Sequence, residues 1–94
     1  MKYHNFDDNA INKNKTWVVY SKDNCPHCTR ALSMLNNRKL PIIEWKLDED
    51  FTIEYFLSIV PAGVRTFPQI YIGKTYVGGA DQLVTYLSEM EDND

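Results

Sequence analysis

The first half of the chain pairs a short apolar run with a segment of helical character. Residues 17–20, Trp-Val-Val-Tyr, form an apolar run of strand length bounded by polar residues. The segment that follows predicts a helix ending at about Asn37 or Arg38, before Pro41 breaks the pattern. A strand followed by a helix is the usual opening of a β-α-β unit.

Beyond this point the spacing of apolar residues changes twice. Residues 43–47 alternate apolar and polar side chains, which predicts a half-buried strand. Three acidic residues, 48–50, supply negative charge where a second helix would begin. Apolar residues then recur at helical spacing until the sequence Pro-Ala-Gly at 61–63 ends the helix, and we interpret them as a core-facing stripe. The members of this stripe are Phe51, Tyr55, Phe56, Ile59 and Val60.

The last third of the chain predicts a hairpin and a final helix. Residues 69–72 and 75–77 are strand-like and flank residues 73–74, Gly-Lys, a loop whose leading glycine suits a type II′ turn. After two further glycines, the segment from Ala80 to about Met90 predicts a helix. The order β-α-β-α-β-β-α predicts an α/β protein, with a four-stranded mixed sheet flanked by three helices.

Length, charge and composition narrow the classes of function. With 94 residues, 44% of them hydrophobic, the chain fits one small domain over residues 1–94, with a polar leader at 1–15 and an acidic tail at 91–94. The net charge of −3, with no Lys/Arg cluster longer than residues 38–39, argues against a nucleic-acid partner. No stretch resembles a signal-peptide core or a bilayer span, so we expect a cytoplasmic protein without a membrane partner.

The only two cysteines, Cys25 and Cys28, stand between the first predicted strand and the first predicted helix. The thiolate is the reactive form of cysteine, and a helix N-terminus favours it because unpaired N–H groups and positive partial charge meet the anion. Cys25, at the start of the helix, is therefore the predicted nucleophile. Cys28 shares a helical face with Ala31 and Leu35, which predicts a more buried second thiol. Pro26 suits the first helical turn, where its missing N–H costs nothing.

The cysteine pair has two other interpretations. It supplies half of a zinc site, but tetrahedral closure takes four ligands, and the chain offers only His4 and His27 besides the cysteines. We therefore predict no metal. Two inert thiols that happen to be close are the remaining alternative. The position after a strand, in a β-α-β context and a cytosolic setting, favours a redox dithiol over both.

Several separated segments resemble the dithiol glutaredoxins, a family with the thioredoxin fold. Residues 20–28, Tyr-Ser-Lys-Asp-Asn-Cys-Pro-His-Cys, resemble the family's strand, lysine and C-P-Y-C active site. Residues 66–68, Thr-Phe-Pro, resemble its T-V-P segment, whose proline is cis, and residues 78–81, Gly-Gly-Ala-Asp, resemble its G-G-x-[S/D] turn. A short final helix follows, as in the family. The brevity of the chain and its residues 81–87 are similar to phage-encoded glutaredoxins.

This resemblance implies a glutathione site beside the nucleophilic cysteine. Lys22 and Arg65 match family positions that pair with the glycine carboxylate of glutathione. The backbone N–H groups of Ala80 and Asp81 match those that hold the γ-glutamyl carboxylate, and the Asp81 side chain would face the γ-glutamyl ammonium. The Phe67 backbone, before the cis proline, would pair with an incoming thiol peptide. The full set implied for glutathione is Lys22, His27, Arg65, Thr66, Phe67, Pro68, Gly79, Ala80 and Asp81.

One residue of the active-site motif departs from the family pattern. His27 stands where relatives have tyrosine, between the proline and the second cysteine. A protonated imidazole beside a thiolate stabilises the anion, so we hypothesise that His27 makes this dithiol more oxidising than a C-P-Y-C relative. The alternative is a solvated ring that only covers the site.

The implied activity is that of a glutathione-dependent thiol–disulfide oxidoreductase that acts through Cys25 and Cys28 on protein disulfides and glutathione mixed disulfides. Glutathione would be the reductant, with no permanently bound cofactor. The partners would be disulfide-containing or glutathionylated proteins, with ribonucleotide reductase as one candidate, and the chain would be a monomer. Two alternatives stay open, a thioredoxin-like electron carrier fed by a reductase and a non-enzymatic iron–sulfur cluster carrier. The first normally shows W-C-G-P-C and the second C-G-F-S, whereas this chain has Asn24 and Pro26.

Overall fold

The computed structural model describes residues 1–5 and 15–92, which form one five-stranded sheet and three helices. Within the sheet, the order is β1-β3-β2-β4-β5; β2 runs parallel to β3, and the other neighbours are antiparallel. The predicted α/β class, mixed sheet and three helices are confirmed. The elements are β1 (Lys2–His4), β2 (Trp17–Ser21), α1 (Pro26–Asn37), β3 (Ile42–Lys46), α2 (Ile53–Ile59), β4 (Gln69–Ile72), β5 (Thr75–Gly78) and α3 (Ala80–Asp92).

The first strand, β1, corrects the predicted sheet from four strands to the five found in the described residues. It lies at the sheet edge, with Lys2 opposite Glu44 and His4 opposite Ile42 on β3. The hydrophobic pattern gave no clear sign of β1, because a strand of three residues with one apolar side chain, Tyr3, is too short for alternation to be recognised. The strand is held by backbone hydrogen bonds to β3. Residues 2–4 of the predicted polar leader therefore belong to the sheet, and residues 6–14 lie outside the described part of the chain.

The larger core lies between the sheet and the helices α1 and α3. Helix α1 ends at Asn37, within the predicted bounds, and its fully buried Ala31 and Leu35 pack in one cluster with Trp17 and Ile42 of the sheet. Full burial of a side chain such as Leu35 contributes roughly 1.5–3 kcal/mol. This packing fixes the helix that begins at the cysteine pair.

The opposite face of the sheet carries an aromatic cluster beneath α2. Phe56 stacks on Phe67 with ring centroids 4.4 Å apart, and Tyr20 meets Phe51 edge to face at 5.2 Å. The predicted core stripe is confirmed for Phe51, Phe56 and Val60, which are buried in this cluster, and for Ile59, which packs against it. It is wrong for Tyr55, which is 52% exposed. The cluster packs against the loop before β4, because Phe67 belongs to that loop.

Helix α2 starts later than its apolar spacing suggests. The Thr52 side chain accepts a hydrogen bond from the Tyr55 N–H at 3.1 Å and caps a helix that begins at Ile53. The acidic residues 48–50 form a turn before that cap, where the Asp50 carboxylate accepts the Lys46 N–H at 2.9 Å. The cap therefore sets the helix start, and the acidic run precedes it.

The C-terminal part follows the predicted hairpin and helix. Ile72 pairs with Thr75 across the two-residue loop, in which Gly73 has a φ of 57°. Helix α3 continues past the predicted end at Met90, and Glu91, expected in an acidic tail, accepts a hydrogen bond from Arg38 Nε at 2.6 Å. Residues 93–94 lie outside the described part. Among the described helices, none has the length and apolar character required for a membrane span.

Candidate active site

Cys25 is the N-cap of α1, and its sulfur accepts a hydrogen bond from the Cys28 backbone N–H at 3.2 Å. Pro26 occupies the first helical turn, as predicted. An N-cap side chain replaces the missing acceptor of an orphan N–H, and an anionic sulfur at this position also meets the positive end of the helix dipole. The N-terminus of α1 thus stabilises negative charge on the Cys25 sulfur.

The two cysteines form a disulfide in this structure, with their Cα atoms 5.3 Å apart. Cys25 is 9% exposed and Cys28 is 3% exposed. The prediction that Cys28 is the more buried of the two is confirmed, because it lies on the helix face that packs against the sheet. Solvent and a second molecule therefore reach Cys25 first.

The loop that ends at Pro68 lies directly beside the Cys25 sulfur. The Phe67–Pro68 peptide bond is cis, as the resemblance implied, and the Phe67 carbonyl oxygen lies 3.7 Å from Cys25 Sγ. The Lys22 Nζ atom lies 5.8 Å from the centroid of the Phe67 ring. Three separate parts of the chain, the loop after β2, the start of α1 and this loop, therefore meet around one sulfur.

Seven of the nine residues implied for glutathione line one cavity of about 170 Å³. The cavity lies between the first turn of α1, the loop before β4 and the first turn of α3. Its other two lining residues, Arg30 and Gln82, were not predicted. The seven are His27, Thr66, Phe67, Pro68, Gly79, Ala80 and Asp81.

The two predicted cations lie in neighbouring cavities. Lys22 lines a cavity of about 510 Å³ together with both cysteines. Arg65 lines one of about 470 Å³, which shares Thr66, Gly79 and Gln82 with the smaller cavity. Both side chains are exposed and flank the central cavity on different sides. Both therefore offer positive charge beside the central cavity.

Arg30 is the charged one of the two cavity residues that the sequence did not indicate. Its guanidinium donates to the Asp81 carboxylate at 3.0 Å, across the cavity from one helix to the other. Asp81, expected to face a ligand ammonium, therefore already has a cationic partner. The pair is largely solvent-exposed, and such pairs contribute little to stability, so a ligand can displace it at small cost. No local motif links residues 51 positions apart.

The first turn of α3 presents backbone N–H groups to the cavity. Gly79 accepts the first helical hydrogen bond, from the Leu83 N–H at 3.0 Å, and its own N–H donates to the Gln82 side chain at 2.9 Å. Ala80 and Asp81 follow at the first two helical positions, where N–H groups have no acceptor within the helix. A carboxylate fits this position on charge and hydrogen bonding.

Thr66 is positioned by a buried glutamine. The Gln69 side-chain amide donates to the Thr66 carbonyl oxygen at 3.0 Å and to the Thr66 hydroxyl at 3.2 Å. Gln69 is 2% exposed, and its carbonyl oxygen accepts from the Tyr76 hydroxyl. These bonds tie the loop before β4 to the hairpin. Across the described residues, no group of three or more His, Cys, Asp or Glu side chains is placed to hold a metal ion.

The glutaredoxin family model matches residues 17–77, more than half of the chain. A glutaredoxin of Pseudomonas aeruginosa is 38% identical over 66 residues, which cover 70% of this chain and 77% of that protein. A probable glutaredoxin of Synechocystis is 35% identical over 65 residues, and the match covers 69% of this chain but only 60% of that relative. The match to the hybrid peroxiredoxin hyPrx5 of Haemophilus influenzae, 33% identical over 70 residues, covers 74% of this chain and 28% of that protein.

Solved structures show the same fold. The dithiolic glutaredoxin 2-C-Grx1 of Trypanosoma brucei brucei superposes with a TM-score of 0.70 at 28% identity, covering 82% of this chain and 81% of that one. A buckwheat glutaredoxin–glutathione complex superposes with a TM-score of 0.67 at 25% identity, covering 78% of this chain and 68% of that one. The predicted thioredoxin-like architecture is therefore confirmed. The family match starts at β2, so β1 lies outside it.

Proposed function

Because the chain belongs to the glutaredoxin family, we propose that it is a glutathione-dependent thiol–disulfide oxidoreductase that uses Cys25 as nucleophile and Cys28 as resolving thiol. The observation that supports this most directly is the hydrogen bond from the Cys28 N–H to Cys25 Sγ at the N-cap of α1. This contact stabilises negative charge on the more exposed of the two sulfurs. The greater burial of Cys28 suits the resolving role.

The reaction consists of consecutive thiol–disulfide exchanges. The Cys25 thiolate attacks one sulfur of the substrate disulfide, a new S–S bond joins it to Cys25, and the other substrate sulfur leaves as a thiolate and takes a proton. The Cys28 thiolate then attacks Cys25 Sγ, which forms the intramolecular disulfide and releases the second substrate thiol. Two glutathione molecules return two electrons to the pair and leave as glutathione disulfide. Alternatively, glutathione resolves the mixed disulfide before Cys28 does.

Stabilising the Cys25 thiolate serves the later half of this cycle more than the first. A thiol with a pKa of about 6 instead of about 8.5 is roughly 90% rather than roughly 3% ionised at pH 7. Its intrinsic nucleophilicity falls roughly tenfold to twentyfold at the same time, which offsets most of that gain. As a leaving group, however, an acidic Cys25 speeds attack by Cys28 or glutathione on the mixed disulfide.

We place glutathione across the central cavity, with its sulfur at Cys25. The N–H groups of Ala80 and Asp81 would hold the γ-glutamyl carboxylate, and Lys22 and Arg65 would pair with the glycine carboxylate. The Asp81 carboxylate would exchange Arg30 for the γ-glutamyl ammonium. His27, Thr66, Phe67, Pro68 and Gly79 line the walls between these ends. The charges in this cavity and in the two cavities beside it match those of a tripeptide with two carboxylates and one ammonium, which supports the assignment.

We propose protein substrates of two kinds, disulfide-containing and glutathionylated proteins. Ribonucleotide reductase is one candidate. A reducing cytoplasm is the expected setting, because glutathione there keeps the pair cycling.

The experiment compares wild type, Cys25→Ser and Cys28→Ser in a glutathione-coupled assay with a glutathionylated peptide and with a protein disulfide. We expect Cys25→Ser to lose activity on both substrates. Cys28→Ser should keep activity on the glutathionylated peptide, because glutathione resolves the adduct, and should lose dithiol reduction of the protein disulfide.

Three outcomes would count against the proposal. Equal activity of Cys25→Ser and wild type would remove Cys25 from its assigned role. A requirement for a reductase protein in place of glutathione would favour the thioredoxin-like carrier. A coloured cluster formed during anaerobic reconstitution, with no turnover of either substrate, would favour the iron–sulfur carrier.

A further inference from the structure

Glu44 is a buried carboxylate that the exchange reaction described above does not use. It lies on β3, where the residue is 8% exposed, and its neighbours across the strands are Lys2 on β1 and Val19 on β2. Its side chain is on the face of the sheet that α1 covers, because Ile42, two residues earlier, belongs to the core beneath that helix. A carboxylate is rarely buried without a partner or a function, because burial disfavours its charge.

Two side chains orient this carboxylate. The Ser21 hydroxyl donates to one oxygen at 3.1 Å from β2, and His4 Nε2 lies 3.2 Å from the other oxygen. His4 reaches Glu44 only because β1 pairs with the free edge of β3. The edge strand that the family match does not include thus supplies a titratable partner to a buried acid.

Glu44 shares a cavity of about 510 Å³ with both cysteines. The walls include Ser21 and Glu44 on the sheet side and Cys28 and Thr29 on the helix side. A polar cavity of this size holds water, and water can connect groups that do not touch. A proton-accepting group and the buried thiol therefore face one common space.

We propose that Glu44 accepts the proton of the Cys28 thiol during resolution of the mixed disulfide; this inference rests on the proposed dithiol reaction. The Cys28 S–H proton passes through cavity water to the Glu44 carboxylate, and the resulting thiolate attacks Cys25 Sγ. The bond between Cys25 and the substrate sulfur breaks, and that sulfur leaves as a thiolate that is protonated by solvent. His4, whose side chain is 26% exposed, then takes the proton from Glu44 and releases it to solvent.

The buried Cys28 thiol needs a proton acceptor within the protein. Cys28 is 3% exposed and lies one turn inside the helix, so its proton leaves through the cavity that this residue lines. The Cys25 sulfur cannot serve as acceptor at this stage, because it is bonded to the substrate. The charged and titratable groups around Glu44 are Lys2 and His4 on β1, Lys46 on β3, Lys22 and Asp23 in the loop after β2, and the two cysteines.

Lys46, the other charged residue of β3 that lines this cavity, already has a partner. Its ammonium contacts the Asp23 carboxylate at 3.0 Å, and this hydrogen bond raises the pKa of Lys46. The ammonium therefore stays protonated at neutral pH and cannot accept a proton. The Asp23 carboxylate also lines the cavity, but it is held by this ammonium and its side chain is 70% exposed. Glu44 is thus the buried carboxylate that the cavity offers to Cys28.

The test follows one turnover of the reduced protein with a glutathionylated peptide. Rapid acid quench and mass spectrometry record the formation of the Cys25–glutathione adduct and its decay to the intramolecular disulfide, from pH 5.5 to 9. In Glu44→Gln, which keeps the shape and can accept the Ser21 hydrogen bond, we expect decay at pH 7 to slow roughly tenfold to a hundredfold. The variant's rate should then rise steeply with pH, because hydroxide replaces the missing base, whereas adduct formation should change less than about twofold.

Glu49→Gln is the matched control, because Glu49 is an exposed acid in the turn after β3 and lies outside the cavity. It should follow wild type in both phases. His4→Gln, a change on the partly exposed edge strand, provides a second variant in case Glu44→Gln does not fold, and we expect its adduct to decay more slowly than in wild type but faster than in Glu44→Gln.

Wild-type decay rates and a wild-type pH profile in Glu44→Gln would overturn the inference, and the same result in His4→Gln would do so if Glu44→Gln does not fold. Equal slowing of formation and decay would also overturn it, because that pattern indicates a structural role. Failure of the proposed function looks different, since wild type itself would then form no adduct.

Discussion

His27 occupies the second position of α1, exposed, on the wall of the cavity that also holds Phe67 and Asp81. In the chain it stands between Pro26 and Cys28, whose backbone N–H donates to Cys25 Sγ. Positive charge on an imidazole at this position would favour the thiolate, and therefore the reduced form, of the pair. Stabilising the reduced form raises the reduction potential.

Replacing His27 by tyrosine tests this effect. We expect the reduction potential of His27→Tyr to fall by roughly 30 mV, equal to about tenfold in the equilibrium constant with glutathione. Redox titration against glutathione buffers measures it. His27→Gln, which is polar but uncharged, should behave like the tyrosine variant. An unchanged or higher potential of His27→Tyr would refute the hypothesis.

Single residues were predictable where their chemistry is local. The cysteine spacing, the proline beside it and the helix start lie within four consecutive positions, so the sequence alone indicated the N-cap sulfur. Arg30 and Glu44 were not predicted as site residues, because the role of each depends on a hydrogen-bond partner on another element. A lone arginine or glutamate in a sequence is most often a solvated surface charge.

At the scale of elements, the turn from β5 into α3 determines where the cavity's N–H groups point. Gly78 has a φ of 124°, a conformation that side chains other than glycine rarely adopt. A Cβ atom at this position would lie 2.9 Å from the Cβ and Cγ atoms of Gln82. Gln82 cannot move away freely, because its side-chain oxygen accepts a hydrogen bond from the Gly79 N–H.

Alanine substitutions separate backbone strain from this clash. We expect Gly78→Ala to lower the free energy of unfolding by roughly 2–4 kcal/mol, because strain and steric overlap add. Gly63→Ala is the matched variant: its φ of 88° is also strained, but an added Cβ meets open space, so a loss of only about 1–2 kcal/mol is expected. Urea denaturation measures both. Equal losses would show that the contact with Gln82 contributes nothing.

The elements that follow apolar periodicity were predicted well, and those set by other forces were not. Helix α1 ends and β4 lies where expected, and β5 extends one residue beyond the predicted 75–77, because burial and turn geometry both favour these elements. Strand β1 is too short to give a clear apolar signal, and the start of α2 depends on the Thr52 cap, which shortens the helix and leaves Tyr55 exposed. Edge pairing and capping are hydrogen-bond effects that hydrophobic spacing does not report.

The whole molecule has two packed layers on the sheet, and the smaller one is dominated by aromatic rings. Tyr20 contacts Phe51, Phe56 and Tyr71 with centroid distances of 5.2, 6.2 and 5.9 Å. Burial, followed by the nearby Tyr55, raises the pKa of Tyr20 to about 12. The folded protein therefore favours the neutral phenol more strongly than the unfolded chain does.

This raised pKa predicts how global stability depends on alkaline pH. Above about pH 10, Tyr20 of the unfolded chain ionises, whereas Tyr20 of the folded protein stays neutral. The contribution of Tyr20 to the free energy of unfolding is therefore complete below about pH 10 and is lost as the pH rises towards 12. We expect the free energy of unfolding of Tyr20→Phe, which keeps the ring, to decline less between pH 9 and 11 than that of wild type. Urea titrations across this range measure both proteins. Parallel decline of the two curves would contradict the expectation.

The burial of Cys25 has a consequence for client selection. Only 9% of this residue is exposed, and its sulfur lies in the wall of a cavity, beside the carbonyl oxygen of Phe67. Under the proposed function, a target must therefore bring its own disulfide to this sulfur on a protruding or loosely held segment. Accessibility on the partner's side, more than the partner's overall shape, would then decide which bonds are reduced.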